Sequence, residues 1–344
     1  MQFGNKKAKK NFSRFNISME IRNSYNTTFT GYKSAFSKKL ERALSSPKTT
    51  SQSASRLLND FADMYDKKVC LDSKIGSGFY GSVYKIDDCY VLKRGNECLE
   101  PEFGRIEVVK HPKFAKLKHY FGEAVAKIYN NTGEDMSILK NVYSKGKSIP
   151  VGIPDDFSKK HTLKECTEYY NKVYLPTFAK LPQKSFDGIA KDFALLNKMC
   201  TKRKSYFFDF LNPNNFVLCG KTLRILDEIN EDSVKTKNCV TDMLEVFINR
   251  MDLDKNAAYD EELVPLRTEL AKKLILAGAK HEIPMSYNSI DLATWSKTFN
   301  EVLGLEDLDV GIMTRDIDNI VRLNKSPKQR VEIVKQYLEE VVGL

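Results

Sequence analysis

The first residues whose types and spacing speak of chemistry are Gly76-Ser-Gly78-Phe-Tyr-Gly81-Ser-Val83. Glycines so spaced let a backbone close on phosphate, where a side chain at the tip would block the approach. The flanking pattern separates two uses of this spacing. In a dinucleotide fold the glycines lead from a strand into a helix, and the helix N-terminus holds the pyrophosphate. Here VCLDSKIGSGFYGSVYKIDDCYVLK reads as strand, glycine-rich turn, strand, tight Asp87-Asp88 turn and strand. The glycines therefore lead into a second strand, as in a hairpin laid over nucleotide phosphates; an ordinary glycine-rich β-turn is the plainer alternative. Lys93, on the third strand in Tyr90-Val91-Leu92-Lys93, is placed to meet the α- and β-phosphates. A glutamate on a helix would hold it there. The choice is Glu107 in RIEVVK, with Glu102 second, on a charged helical segment expected around residues 100–110 and stopped near Pro112.

The second half of this chemistry lies more than a hundred residues downstream, in FFDFLNPNNFVLCGKTLRILDEIN. Asp209, Asn214 and Asp227 are spaced by five and by thirteen residues. A kinase catalytic loop sets its Asp and Asn five apart, and a two-stranded turn then leads to a metal-binding Asp. In that arrangement Asp209 accepts the substrate hydroxyl proton, while Asn214 and Asp227 hold Mg²⁺ against the phosphates of ATP. Pro213 leaves Asn215 as an alternative ligand; Asn214 keeps both intervals. The departures are as telling as the matches. Phe207-Phe208 stands where His-Arg precedes the catalytic Asp, Asp227-Glu228-Ile229 replaces Asp-Phe-Gly, and no Ala-Pro-Glu follows. Instead NCVTDMLEVFI begins about ten residues later, with Asp242 where a buried helix Asp would anchor the loop backbone. The activation segment, and with it the usual phosphorylation switch, is missing.

The elements that must position these groups follow from the rest of the chain. HYFGEAVAKIYNNTGEDMSILKNVY reads as two strands joined by an Asn-Thr-Gly turn, and a β-rich unit ends near Pro150. Helices then dominate, including HTLKECTEYYNKVYLPTFAKL, FDGIAKDFALLNKMCTKRK with its stripe Ile189, Phe193, Leu196 and Met199, DEELVPLRTELAKKLILAG and SPKQRVEIVKQYLEEVV. Ser326 is expected to cap the last of these, with Pro327 in its first turn. The predicted fold class is α+β: a bilobal, kinase-like arrangement of a β-rich N-lobe and a helical C-lobe. The predicted divisions are a leader over 1–55, an N-lobe over 56–150, a C-lobe over 151–250 and a helical extension over 251–344. Arg56–Asp66, with Leu57, Leu58, Phe61 and Met64 on one helical face, should open the folded part.

Composition bounds the rest. The 344 residues are 42% hydrophobic and 29% charged, which suits folded cores and excludes wholesale disorder. No run of about 20 apolar residues is present to cross a bilayer. Residues 1–56 hold twelve Lys/Arg against Glu20 and Glu41, so they carry the whole formal excess of +10. That charge sits on a Ser/Asn/Thr/Lys-rich leader with few periodic apolar positions, expected to be a disordered tail rather than a nucleic-acid-binding face, with an anionic membrane surface or nucleic acid as the lesser alternatives. Seven cysteines without a Cys-x-x-Cys pair read as free thiols of a reducing compartment. Four scattered histidines give no metal-ligand spacing.

LKHYFGEAVAKIYNNTGEDMSILKN, FFDFLNPNNFVL and LRILDEIN, with a helix resuming soon after, resemble the small kinases that bacterial pathogens inject through type III secretion, the OspG/NleH type. The resemblance covers roughly residues 68–250 and carries Lys93, Asp209, Asn214 and Asp227 across by position. It implies a Ser/Thr protein kinase that uses Mg²⁺ and ATP, phosphorylates itself and host proteins, and dampens inflammatory NF-κB signalling. Gly76, Gly78, Gly81, Val83, Lys93 and Glu107 would then line the nucleotide. It further implies secretion into the host cytoplasm, a leader serving as the secretion signal, a monomer, and partners such as ubiquitin or a ubiquitin-charged conjugating enzyme. Two other readings stand beside it: a pseudokinase acting as a binding module, and a small-molecule phosphotransferase related to aminoglycoside kinases.

Overall fold

An eleven-residue helix, α1 (Ala35–Ser45), precedes the first sheet. Ser34 caps it: the Ser34 hydroxyl accepts from the Ser37 amide at 3.1 Å, and the Ser34 carbonyl accepts from the Lys38 amide at 3.2 Å. Within the leader expected to be disordered over 1–55, this stretch is therefore helical, and the rest of the leader lies outside the described residues. The reason is long-range, since Ser34 and Ser37 are tied to Asp87 in the next part of the chain. The structure, a computed structural model, describes residues 34–45, 74–78, 81–95, 106–107, 126–129, 135–140, 148–153, 155–203, 211–219, 222–225, 238–250, 252–254, 260–286, 303–305 and 308–344. The helix expected over Arg56–Asp66 lies outside them.

Six strands follow: β1 (Lys74–Gly78), β2 (Gly81–Lys85), β3 (Tyr90–Gly95), β4 (Ile106–Glu107), β5 (Ala126–Tyr129) and β6 (Asp135–Lys140). They form one antiparallel sheet in the order β1-β2-β3-β6-β5-β4. Tyr90, Val91 and Leu92 of β3 are buried, as befits a strand with neighbours on both edges. The turn between β2 and β3 is shaped by Asp87, whose Oδ1 accepts from the amides of Cys89 (2.8 Å) and Tyr90 (3.1 Å). One expectation fails here. Ile106–Glu107 is a strand paired with β5, not part of a helix, so ladder bonding overrides the helical reading of that charged run.

A second sheet of three strands, in the order β7-β8-β9, sits among helices. Its members are β7 (Ser148–Pro150), β8 (Phe216–Cys219) and β9 (Thr222–Ile225). Between β7 and β8 come α2 (Asp155–Ser158), α3 (Leu163–Tyr169), a π-turn (Tyr170–Tyr174), α4 (Leu175–Ala179) and α5 (Gln183–Arg203). Thr162 and Glu165 close a reciprocal capping box at the start of α3. After β9 come α6 (Val240–Phe247), α7 (Val264–Lys280), α8 (Val310–Leu323) and α9 (Pro327–Tyr337), the last running into a π-turn (Leu338–Val342). Ser326 occupies the cap position of α9 with Pro327 at its first turn, but the Ser326 side chain makes no capping bond. The molecule is thus mixed α+β, mostly helical, with antiparallel sheets. No helix among the described residues is long and apolar enough to cross a membrane. Cys89, Cys166 and Cys239 are thiols rather than disulfides.

One buried cluster unites the helical part. Phe178 of α4, Phe186 and Phe193 of α5, Phe216 of β8 and Phe247 of α6 are at most 1% exposed, and Leu270 and Leu274 of α7, Ile317 of α8 and Val334 of α9 join them. Residues beyond 250 therefore contribute to the same core as residues 151–250. Two buried arginines fasten it. Arg250 meets the Asp252 carboxylate with two nitrogens (2.9 and 2.6 Å), donates to the Val151 carbonyl, and lies 4.9 Å from the centre of the Tyr170 ring. Arg330 donates to the Ala279 and Lys280 carbonyls at 2.9 Å each, at the C-terminus of α7. Tyr170, fully buried, donates to the Phe247 carbonyl at 2.6 Å, and burial pushes its hydroxyl up to about 12.

Candidate active site

The glycines of the first motif flank a hairpin. Gly78 of β1 pairs with Gly81 of β2. Gly76 pairs with Val83, and Val83 pairs with Lys93 of β3, so the glycine strand and the candidate phosphate lysine share one cross-strand row. That row continues through Ser137 of β6 and Lys127 of β5 to Glu107 of β4. Lys93 and Glu107 are thus three strand spacings apart, about 14 Å at roughly 4.8 Å per step. Glu107 is not the helix-borne partner that the sequence proposes for Lys93. Glu102 lies outside the described residues.

Asn214 stands in a short 3₁₀ turn, Pro213–Asn215, at the mouth of β8. Its side chain is exposed, Asn215 is half-buried and Pro213 is buried. The turn is set by Asn212, whose Oδ1 accepts from the Asn214 amide at 3.0 Å and whose carbonyl accepts from the Asn215 amide at 3.1 Å. β7 supports it from the other side: Pro150 pairs with Val217, and the Val151 amide donates to the Phe216 carbonyl at 3.0 Å. Asp209 and Asp227 lie outside the described residues, as do Phe207-Phe208 and Glu228-Ile229.

Two positioning residues escaped the sequence reading. Gly152, buried directly after β7, packs its backbone on Asn214. A Cβ there would stand 2.0 Å from Asn214 Oδ1 and 2.6 Å from both the Asn214 Cα and its amide nitrogen. A glycine after a strand is too common to announce such a contact. Asp192 is the other. It is 8% exposed on α5, and its Oδ2 accepts from the Leu223 amide at 2.8 Å, fixing the β8–β9 hairpin to the helix. The signal for it was present, because an acid at i+3 from Ile189 and i−4 from Leu196 falls on an apolar face. Asp242 has a local role as well. Its Oδ2 accepts from the Cys239 amide at 2.8 Å and from the Cys239 thiol at 3.3 Å, closing the N-terminus of α6. Burial pushes that thiol up to about 12, so it stays protonated.

A contact links the β-rich part to the neighbourhood of Asn214. β1, with Gly76 and Gly78, lies against α2. α2 begins three residues beyond Gly152, which abuts Asn214. Compared with models of known protein families and with curated proteins, the chain matches none. The site has to be judged by its chemistry. A glycine hairpin can cover phosphates, a lysine on the third strand can neutralise them, and an exposed amide oxygen suits a hard cation such as Mg²⁺. No group of three or more His, Cys, Asp or Glu suited to a metal occurs among the described residues.

Proposed function

We propose that the chain is an ATP-dependent serine/threonine protein kinase of the minimal, activation-segment-free type. The observation that supports this reading is the packing of the glycine strand β1 against α2, which begins shortly after the Gly152–Asn214 contact. Bound Mg-ATP supplies the γ-phosphoryl group. The chain's own residues bind and orient it: Gly76, Gly78 and Gly81 bring backbone near the phosphates, and Lys93 neutralises their charge. Asn214 and Asp227 would hold Mg²⁺, the exposed Asn214 amide being a fitting oxygen donor. Asp209 takes the proton of the attacking serine or threonine hydroxyl. Catalysis of this kind rests on positioning and electrostatics. By its resemblance to secreted effectors, the protein acts on host proteins and on itself, with ubiquitin or a ubiquitin-charged conjugating enzyme as a candidate activator.

A second reading, a pseudokinase that serves as a binding module, is favoured by one observation: Glu107 sits on a strand rather than on a helix facing Lys93. One assay separates the two. Purified protein is incubated with labelled ATP and Mg²⁺, wild type beside Asp227→Ala, with and without a ubiquitin-charged conjugating enzyme. Label on wild type that vanishes in the variant supports the kinase. No label on a folded protein in any condition overturns it in favour of the pseudokinase.

A further inference from the structure

Among the described residues, the Asp87 carboxylate joins helix α1 to the first sheet. Asp87 Oδ2 accepts from the Ser34 amide at 3.0 Å, from the Ser34 hydroxyl at 2.8 Å and from the Ser37 hydroxyl, while Oδ1 of the same group holds the β2–β3 turn. Ser37 is fully buried by this contact, whereas Ser34 stays half-buried at its edge. We propose that Asp87 is a latch holding α1 on the β2–β3 turn, and that Ser34 is a phosphorylation site whose modification opens it.

The argument is one of charge. Hydrogen bonds from Ser37, Ser34 and Cys89 outweigh the cost of burial and hold Asp87 below the ordinary carboxylate range, so it is ionised at neutral pH. Phosphorylation forms a bond between Ser34 Oγ and the γ-phosphorus of ATP, breaks that phosphorus's bond to the departing ADP, and passes the hydroxyl proton to a base of the modifying kinase. The product replaces a donor at 2.8 Å from Asp87 with a group carrying up to two negative charges. As the cap of α1 the phosphate is compatible with the helix, because anions suit helix N-termini. Against Asp87 it is not, since two anions in one site repel. The repulsion therefore acts on docking rather than on capping. An undocked helix of eleven residues is marginal in water, so its amides report the opening.

The test is hydrogen exchange on the full chain without nucleotide, so it stands or falls apart from the kinase reading. Asn and Asp cap helices about as well as Ser, and Ser34→Asn against Ser34→Asp isolates the charge. Ser34→Asp, and phosphoserine installed at position 34 by codon suppression, should exchange the α1 amides at least about tenfold faster, as expected for loss of hydrogen bonds to a charged group. Ser34→Asn should leave them within about twofold of wild type. Adding Asp87→Asn to Ser34→Asp should restore protection, because the amide removes one charge and offers a donor. Equal exchange in Ser34→Asp and Ser34→Asn, or no recovery in the double variant, overturns the latch.

Discussion

Gly152→Ala is the sharpest perturbation the structure offers. Gly152 has no positive φ, so alanine is compatible with its backbone and any effect comes from contact alone. The new methyl group would lie 2.0 Å from Asn214 Oδ1, which can rotate away, but also 2.6 Å from the Asn214 Cα and amide nitrogen, which cannot. Ordinary contact is about 3.5 Å, so roughly 1 Å of separation must open between two backbone segments. β7 and β8 oppose that motion, being bonded through Val217↔Pro150 and Val151 to Phe216. Overpacking of this kind costs about 1–3 kcal/mol of stability. If Asn214 helps hold the cation, a displacement of about 1 Å lowers phosphoryl transfer by roughly a hundredfold. Steady-state transfer measured across Mg²⁺ concentrations, beside urea unfolding, reads both quantities. The expected result is a folded variant with the lower kcat/KM and a raised Mg²⁺ requirement. In transfer rate, Gly152→Ala combined with Asn214→Ala should be no worse than Asn214→Ala alone, since the glycine acts on the rate through the asparagine, while the stability cost of the backbone clash remains. A variant with full activity, or one whose loss merely tracks its unfolded fraction, would refute the reasoning.

Other consequences can be checked as directly. Lys93→Ala should abolish nearly all transfer while circular dichroism and melting stay close to wild type; near-wild-type turnover removes Lys93 from the site. Arg250→Ala should destabilise the helical part by about 3–5 kcal/mol in urea unfolding, because it leaves Asp252 without its bidentate partner and opens a hole beside Tyr170. Asp192→Ala should cost about 1–3 kcal/mol, from the stranded Leu223 amide. Asp87, with its folded value depressed, contributes stability that is complete above the ordinary 3.8 and drains as pH falls through the lower folded value. Protection of the α1 amides should accordingly fade at the acid end of a pH series in wild type and show a smaller pH response in Asp87→Asn.

What could be seen in the sequence, and what could not, divides by the range of the interaction. The stripe Ile189, Phe193 and Leu196 marks α5 because a helix face is written at short period, and those residues are buried. The hairpins β2–β3 and β8–β9 are legible because turn residues sit between short apolar runs. Contacts between distant segments carry no such period. Asp87 reads as a turn former, which it is, but its bonds to Ser34 and Ser37 span about fifty residues, and they are what orders α1 inside a stretch otherwise resembling a tail. The segment around Glu107 shows the converse failure. Its charge pattern suits a solvated helix, yet Ile106 and Glu107 answer to β5, because a free sheet edge offers backbone bonds that local propensity cannot outbid. Once Glu107 is fixed on β4, with β5 and β6 between it and β3, no side chain of that strand can serve Lys93 as a helix-borne partner would. Any such partner has to come from outside the sheet. Glu102→Gln, which should lower transfer if Glu102 fills that place, is therefore a more informative substitution than Glu107→Gln, which should leave the rate unchanged.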